Sequence, residues 1–413
     1  MTVGGDRRNV PPAQPATYRA LFASSEFRAL WLAQAISLTG DQLARVAIAS
    51  LVYGETRSAF ITALVYAITY LPWLIGGPLL SGLADRYRRR AVMVTCQLLS
   101  AALVAVLAVP GMPLAVLASL LFLVILLESP FLAARASLLV DVLPDDRYVL
   151  ASAMNQLTLQ GAQVLGFAVG GALVLLLDSS GALLLDATSF LLAAALVRFR
   201  VRPRPAASGG DELGGSWERM RTGTRVVFGD PRLRGLVLLA WLATFWVVPE
   251  GLAAPYAEGR PTAVGLLLAA QPAGSVIGGL WLSRLVRPTT RLELMGPLAV
   301  LSCVPLLLFA VTPPLPLAVA LLVVSGIGTT YNLPANAAFM QALPAARRGQ
   351  AFGLVSAGMV AGQGLSMTVA GAVAEVVPPA LVITVAGGLG LVAALALSGA
   401  GRRFLSSPAP VVS

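Results

Sequence analysis

Residues 113–135 read PLAVLASLLFLVILLESPFLAAR, and they indicate the class of fold. Apart from Glu128, two Ser and the final Arg135, every residue in this stretch is apolar or Pro. A helix of this length rises about 35 Å at roughly 1.5 Å per residue. Because a bilayer core about 30 Å thick needs roughly 20 such residues, the stretch is predicted to be a transmembrane helix.

Similar stretches recur along the whole chain. Of its 413 residues, 57% are hydrophobic and 12% are charged, and the mean hydropathy is +0.82. Soluble domains average about 45–50% apolar and about 25% charged residues, so a soluble fold is excluded. The prediction is an all-α integral membrane fold of twelve transmembrane helices in two six-helix bundles. The predicted spans are 28–53, 58–81, 91–110, 113–135, 153–177, 181–199, 233–256, 262–283, 292–312, 315–337, 349–377 and 380–400.

The distribution of arginine predicts the orientation. All 29 basic residues are Arg, the net charge is +10, and the chain has no His. Of these arginines, 25 lie in the two tails, in the even-numbered loops, or within two residues of a span end that faces those loops. Because cytoplasmic loops concentrate positive charge, both termini are predicted to lie in the cytoplasm. The Lys-free composition, rich in Ala, Gly, Leu and Val, indicates a high-GC bacterium, so the membrane is predicted to be a bacterial inner membrane. The scattered charge argues against a nucleic-acid partner.

The chain is predicted to have five parts. An N-terminal tail (1–27) lacks the apolar core of a signal peptide. A cytoplasmic linker (200–231) separates the two bundles (28–199 and 232–400), and a C-terminal tail (401–413) follows. Trp217, Met220, Thr224 and Val227 lie on one side of the linker's second half, which favours an amphipathic surface helix; a solvated charge run is the alternative.

The two halves also repeat. Setting each residue against the one 200 positions later pairs Leu143-Pro144 with Leu343-Pro344, Gln163 with Gln363, and Gly171-Ala172 with Gly371-Ala372. Duplicated six-helix halves are typical of transporters whose substrate site lies between the halves, near the middle of the membrane.

The loop after the second span reads SGLADRYRRR at residues 81–90. It resembles the G-x-L-A-D-R-x-G-R-R signature of the major facilitator superfamily, with Ser81 and Arg88 in place of the two Gly. The resemblance implies the major facilitator fold, with alternating access by rocking of the two halves. It also implies that this loop gates the inner face; its residues are Asp85, Arg86, Arg89 and Arg90, with Arg135 as a partner. For the basic residues, a role in topology alone is the alternative.

The fifth span carries a second motif. Ala162, Gly166, Phe167, Gly170 and Gly171 resemble the superfamily's antiporter motif G-x-x-x-G-P-x-x-G-G, with Phe167 where Pro is usual. Close helix packing is the alternative role of these glycines.

Three further phrases, at 37–41, 186–190 and 230–234, resemble the macrolide-efflux and enterobactin-exporter branch. That likeness implies proton-driven efflux of an amphipathic small molecule, such as a drug, a siderophore or a secondary metabolite. The usual state of the fold implies a monomer.

Ionisable residues inside the predicted spans are candidates for proton coupling or substrate binding, because each costs about 2.5–3.5 kcal/mol to insert. Asp41 lies about 20 Å along the helix from Arg28, near the middle of the membrane. Arg45 follows it by one turn, so mutual neutralisation is the alternative. The other candidates are Glu128, Glu250 and Asp186, the last near a span end that water could reach.

Polar and aromatic residues in the seventh and tenth spans are cavity candidates: Tyr331, Asn332, Asn336, Trp241 and Trp246. Contact with lipid or with neighbouring helices is the alternative. No Walker loop is present, and the lack of His and Lys excludes a Ser-His-Asp triad, His metal ligands and Schiff-base chemistry. We therefore expect no enzyme, cofactor or metal. The expected partners are a small-molecule substrate, protons and the lipid bilayer. The alternatives are a uniporter or importer, and a transport-inactive scaffold or sensor.

Overall fold

The computed structural model describes residues 18–73, 76, 86–143, 146–204, 228–343 and 348–405. Within these ranges the chain forms α-helices and no β-strand. In chain order the helices are α1 Tyr18–Ala23, α2 Ser25–Thr56, α3 Ala59–Ile68, α4 Arg89–Leu107, α5 Leu114–Val142, α6 Asp146–Arg200, α7 Pro231–Trp241, α8 Ala243–Trp246, α9 Val248–Tyr256, α10 Pro261–Leu285, α11 Pro288–Glu293, α12 Met295–Leu307, α13 Leu315–Thr329, α14 Asn332–Ala342, α15 Arg348–Val373 and α16 Pro379–Leu405; a 3-10 turn, Leu308–Val311, continues α12.

The chain is a multi-pass helical membrane protein. Nine helical segments within the described ranges are long and apolar enough to cross a membrane, and two shorter apolar segments, Ala59–Trp73 and Met295–Val311, accompany them. One of the nine, Met154–Arg200, lies within α6. Asp178 has non-helical backbone angles (φ 57°, ψ −178°) and divides α6 into two arms, 146–177 and 179–200. The total of twelve crossings stays a prediction.

Local chemistry fixes several helix ends. The Ser24 hydroxyl accepts a hydrogen bond from the Phe27 N–H at 3.3 Å, which caps the start of α2. At the start of α7, Asp230 accepts from the Arg232 N–H at 2.8 Å. The predicted seventh span, 233–256, is broken into α7, α8 and α9. Pro249 lies at the start of α9, where its missing N–H and its ring oppose a continuous helix.

The two halves meet along two seams, α6 against α10 and α3 against α15. We call the end of the molecule where α2 and α4 begin the tail face. The opposite end, where α3 and α10 begin and α15 ends, is the far face. The predicted amphipathic linker helix lies outside the described residues, as do most of the predicted N-terminal tail and residues 406–413. At the start of the linker, Arg204 forms a 2.7 Å ion pair with Glu26 on the tail face.

Candidate functional site

Most of the predicted intramembrane charges lie in one region at the middle of the molecule. Asp41 and Arg45 lie one turn apart on α2, and both are half-buried. Glu128 on α5, Asp186 on the second arm of α6, and Arg45 are the charged groups that act on Asp41. We call these four residues with Glu250 of α9 the acidic cluster. It contains four carboxyl groups and one guanidinium.

Arg45 does not simply neutralise Asp41. No ion pair within 4.0 Å joins these two described side chains, although they are one helical turn apart. Charged groups acting on Arg45 include Glu128 as well as Asp41. Carboxyl groups from two different helices therefore act on the guanidinium electrostatically, and Asp41 is not its dedicated partner.

Asp186 is held by close packing against α2. Its side chain is 1% exposed, so the expectation that water reaches it is wrong for this conformation. The Ser189 hydroxyl donates to Asp186 Oδ1 at 3.1 Å. A Cβ atom added to Gly40 would lie 2.3 Å from both Asp186 Oδ1 and Ser189 Oγ. Asp186 can therefore lie this near to α2 only because residue 40 has no side chain.

We expect Gly40→Ala to displace Asp186 and to lower transport at least tenfold, with a stability cost of about 1–3 kcal/mol from overpacking. The matched control is Gly54→Ala in the same helix, where a Cβ would meet no atom within 4 Å. Thermal unfolding in detergent and flux in proteoliposomes measure the two effects. If both variants transport and unfold like the unmodified protein, the contact between α2 and Asp186 is not needed for transport.

Two tyrosines of the N-terminal half, Tyr66 and Tyr70, lie beside Glu250 of the C-terminal half. Sequence reasoning did not identify them. The Tyr70 hydroxyl donates to Glu250 Oε2 at 3.4 Å, and this bond crosses from the N-terminal to the C-terminal half. The Tyr66 hydroxyl, one turn earlier, is buried. Arg45 and Glu250 are the charged groups acting on it. The sequence feature that could have identified them is the spacing of two Tyr four residues apart in an apolar span, which places both hydroxyls on one helix face.

A small cavity of about 10 Å³, room for about one water molecule, lies beside Arg45, between α2, α3 and α5. Its walls are largely apolar, with polar atoms from Thr and Tyr: Arg45, Ile48, Ala49, Val52, Thr62, Val65, Tyr66, Thr69 and Leu121 line it. Among the described residues no three His, Cys, Asp or Glu converge in a way that could hold a metal ion.

The basic residues of the predicted gating loop mostly bind within the N-terminal half. Arg89 forms an ion pair with Asp141 of α5. Arg90 donates to the Val201 carbonyl at 3.0 Å, which ties α4 to the end of α6. Arg86 is exposed, and Asp85 lies outside the described residues.

Arg135, its predicted partner, is 4% exposed. Its interactions include a bond from Nη2 to Asn155 Oδ1 at 3.0 Å. The described contacts of these arginines tie helices of the N-terminal half together at the tail face.

The motif glycines of α6 mark close helix contacts. A Cβ on Gly166 would lie 2.6 Å from Gln42 Cβ, and one on Gly170 would lie 3.1 Å from Leu43 Cα, so both pack α6 on α2. Gly171 instead meets the other half, with Pro261 O at 2.6 Å and Gly265 Cα at 3.2 Å from its added Cβ. The same stretch therefore builds the N-terminal half and one of the two seams.

The cavity candidates of the C-terminal half make contacts within that half. Tyr331 is fully buried, and its hydroxyl accepts from Trp246 Nε1 at 3.3 Å. Trp241 Nε1 donates to the Val355 carbonyl at 3.1 Å. Asn332 is half-buried and Asn336 is exposed. In this conformation Tyr331 and the two tryptophans hold helices of the C-terminal half together.

Comparison with known proteins agrees with this architecture. The family model described as Major Facilitator Superfamily matches residues 30–257 and 252–411. The chain is 24% identical over 270 residues to macrolide efflux protein A of Streptococcus pyogenes, covering 62% of this chain and 66% of that protein, just under two thirds of its length. It is 26% identical over 191 residues to the uncharacterized MFS-type transporter YkuC of Bacillus subtilis (strain 168), covering 45% of this chain and 44% of that one.

Solved structures share the fold at low identity. The POT family transporter PepTSo superposes with a TM-score of 0.72 at 13% identity, covering 93% of this chain and 99% of that one. The nucleoside transporter NupG gives a TM-score of 0.70 at 13% identity, with 90% and 99% covered. At this identity the likeness shows the fold and not the substrate.

Proposed function

Since the chain belongs to the major facilitator superfamily, we propose that it is a proton-driven exporter of an amphipathic small molecule from the bacterial cytoplasm. The observation that carries the proposal is the acidic cluster. Three of its carboxyl groups, Asp41, Glu128 and Glu250, come from both halves of the molecule and interact electrostatically with one guanidinium, in a part of the chain where buried charge is costly.

The chemistry of the cycle follows from this arrangement. The chain has no His, so carboxyl groups are the side chains left to carry protons through the membrane. Protonation of one carboxylate removes its attraction for Arg45 and thereby changes the balance of charge across the cluster. Because the Tyr70–Glu250 bond joins the halves, a change at Glu250 alters the contact that holds them together at mid-height.

The conformation supports alternating access with the tail face in the cytoplasm. Both seams are tight at the far face, where the backbones of Gly171 and Gly265 touch and where Gly371 meets Ala59 and Ala63. Under the arginine topology this far face is periplasmic. The state described is thus closed to the outside.

Reconstituted flux tests the proposal. The panel of test compounds is a macrolide, a catechol siderophore and a lipophilic dye. For at least one of them, we expect a proton gradient that is acidic on the far-face side to raise the export rate at least tenfold over counterflow without a gradient. Equal rates with and without the gradient would support a uniporter instead. Binding of a panel member without any flux would favour a transport-inactive sensor.

A further inference from the structure

The seam between α3 and α15 brings two backbones together at the far face. A Cβ added to Gly371 would lie 2.4 Å from Ala63 Cβ and 3.0 Å from the Ala59 carbonyl oxygen. Gly171, its counterpart 200 residues earlier, has the same place in the seam with α10. The two seams are thus related by the internal repeat, and at the outer end of the α3–α15 seam a carboxylate forms hydrogen bonds across the seam.

That carboxylate is Glu375, which follows the end of α15 in the C-terminal half. Its Oε1 accepts a hydrogen bond from the Ser58 hydroxyl at 2.7 Å. The same oxygen accepts from the Phe60 N–H, also at 2.7 Å. Ser58 caps α3, since its Oγ accepts from the Ile61 N–H at 3.0 Å. Glu375 therefore completes the cap of a helix that belongs to the other half.

The start of a helix is a favourable place for an anion. The first N–H groups have no partner within the helix, and the helix dipole places partial positive charge there. In a capping box a Glu of the same helix reaches back to these groups. Here the other half supplies the carboxylate. The bonds from Phe60 and Ser58 lower the pKa of Glu375, so it stays ionised near neutral pH.

This contact depends on the two halves being together. Both bonds are at 2.7 Å, so a separation of a few ångströms at the far face breaks them. Breaking them leaves the Phe60 N–H to water and frees the carboxylate. The contact therefore stabilises only those conformations in which the far face is shut.

We propose that Glu375 is a latch on the far face: by capping α3 across the seam it holds the exit shut, and its release controls how often the site opens to the far side. The inference rests on the alternating-access part of the proposed function. It is independent of which substrate moves and of whether protons drive it.

Distances across the far face test the latch directly. Spin labels at Val109→Cys and Val311→Cys, which are 55% and 71% exposed in opposite halves, report the opening in a Cys96→Ala, Cys303→Ala background. We expect Glu375→Ala to raise the ratio of open to shut molecules about threefold to tenfold. This is the effect expected from losing charge-assisted hydrogen bonds that solvent weakens because the carboxylate is exposed. Glu375→Gln should give a smaller rise, because the amide oxygen still accepts.

The matched control is Glu55→Gln. Glu55 is an exposed carboxylate near the same face, and it has no hydrogen bond or ion pair among the described residues. An unchanged distance distribution in Glu375→Ala, or an equal shift in the control, overturns the latch. The readout needs no substrate and no proton gradient. A shift in Glu375→Ala beside absent proton-driven flux would thus refute the proposed function and leave the latch standing.

Discussion

Asp41→Asn should abolish export driven by a proton gradient while the helical bundle stays intact. Asn has nearly the shape of Asp and keeps an oxygen that accepts hydrogen bonds, but it cannot take up and release a proton. Asp41 lies on α2, where Glu128, Asp186 and Arg45 all act on it. Its charge state therefore affects these three groups. We expect gradient-driven flux to fall at least tenfold, with counterflow of the same substrate continuing.

The control for Asp41→Asn is Asp178→Asn, between the two arms of α6. Asp178 is exposed, and its positive φ of 57° is a conformation that Asn also tolerates. Its Oδ1 accepts from the Gly181 N–H at 2.9 Å, a bond that the Asn oxygen can keep. Both variants are measured in proteoliposomes with size-exclusion profiles as a check on folding. Gradient-driven flux by Asp41→Asn at the unmodified rate would remove Asp41 from the mechanism.

Gly265→Val should open the far face and stop transport. A Cβ on Gly265 would lie 2.5 Å from the Phe167 carbonyl oxygen and 2.9 Å from Gly171 Cα, both of them backbone atoms. Backbone cannot turn aside as a side chain does, so the α6–α10 seam has to part. We expect transport to fall at least tenfold and far-face distances to lengthen, with Gly265→Ala giving a smaller change of the same sign.

Gly279→Ala in the same helix is the control, because an added Cβ there has Leu333 Cδ1 at 3.8 Å as its nearest atom. Spin-label distances and flux are measured on the same preparations. Should Gly265→Val transport normally with unchanged distances, the tight seam is not part of the transport cycle. Loss of folding would appear as a lower yield and a broadened size-exclusion peak.

The helices were predictable because lipid offers no hydrogen-bond partners, so the backbone N–H and C=O groups must bond to one another. An apolar run of sufficient length must form a helix there, so stretches such as 113–135 were recognised as spans. The breaks within the seventh span were less predictable, because Pro249 opposes a continuous helix without indicating where the chain turns. The family, too, was predictable: the resemblance in residues 81–90 is confirmed by the family match.

The composition of the candidate site was predictable only in part. Charge in an apolar run stands out, so the carboxyl groups of the acidic cluster were found from the sequence. Tyr66 and Tyr70 were missed because Tyr is ordinary in a span, and only packing shows that they reach Glu250. The Glu375 contact joins residues more than 300 positions apart. Nothing local in the sequence indicates which helix face meets which.

The most direct measurement is proton movement that accompanies substrate. Proteoliposomes that hold a pH-sensitive dye are loaded with the panel compound that gives flux, and efflux is started by dilution, with the change in protein-free vesicles subtracted. We predict that the lumen acidifies as substrate leaves, because protons enter in exchange, and that Asp41→Asn shows no acidification. Substrate efflux without acidification, or with a lumen that becomes alkaline, would contradict proton antiport through the acidic cluster.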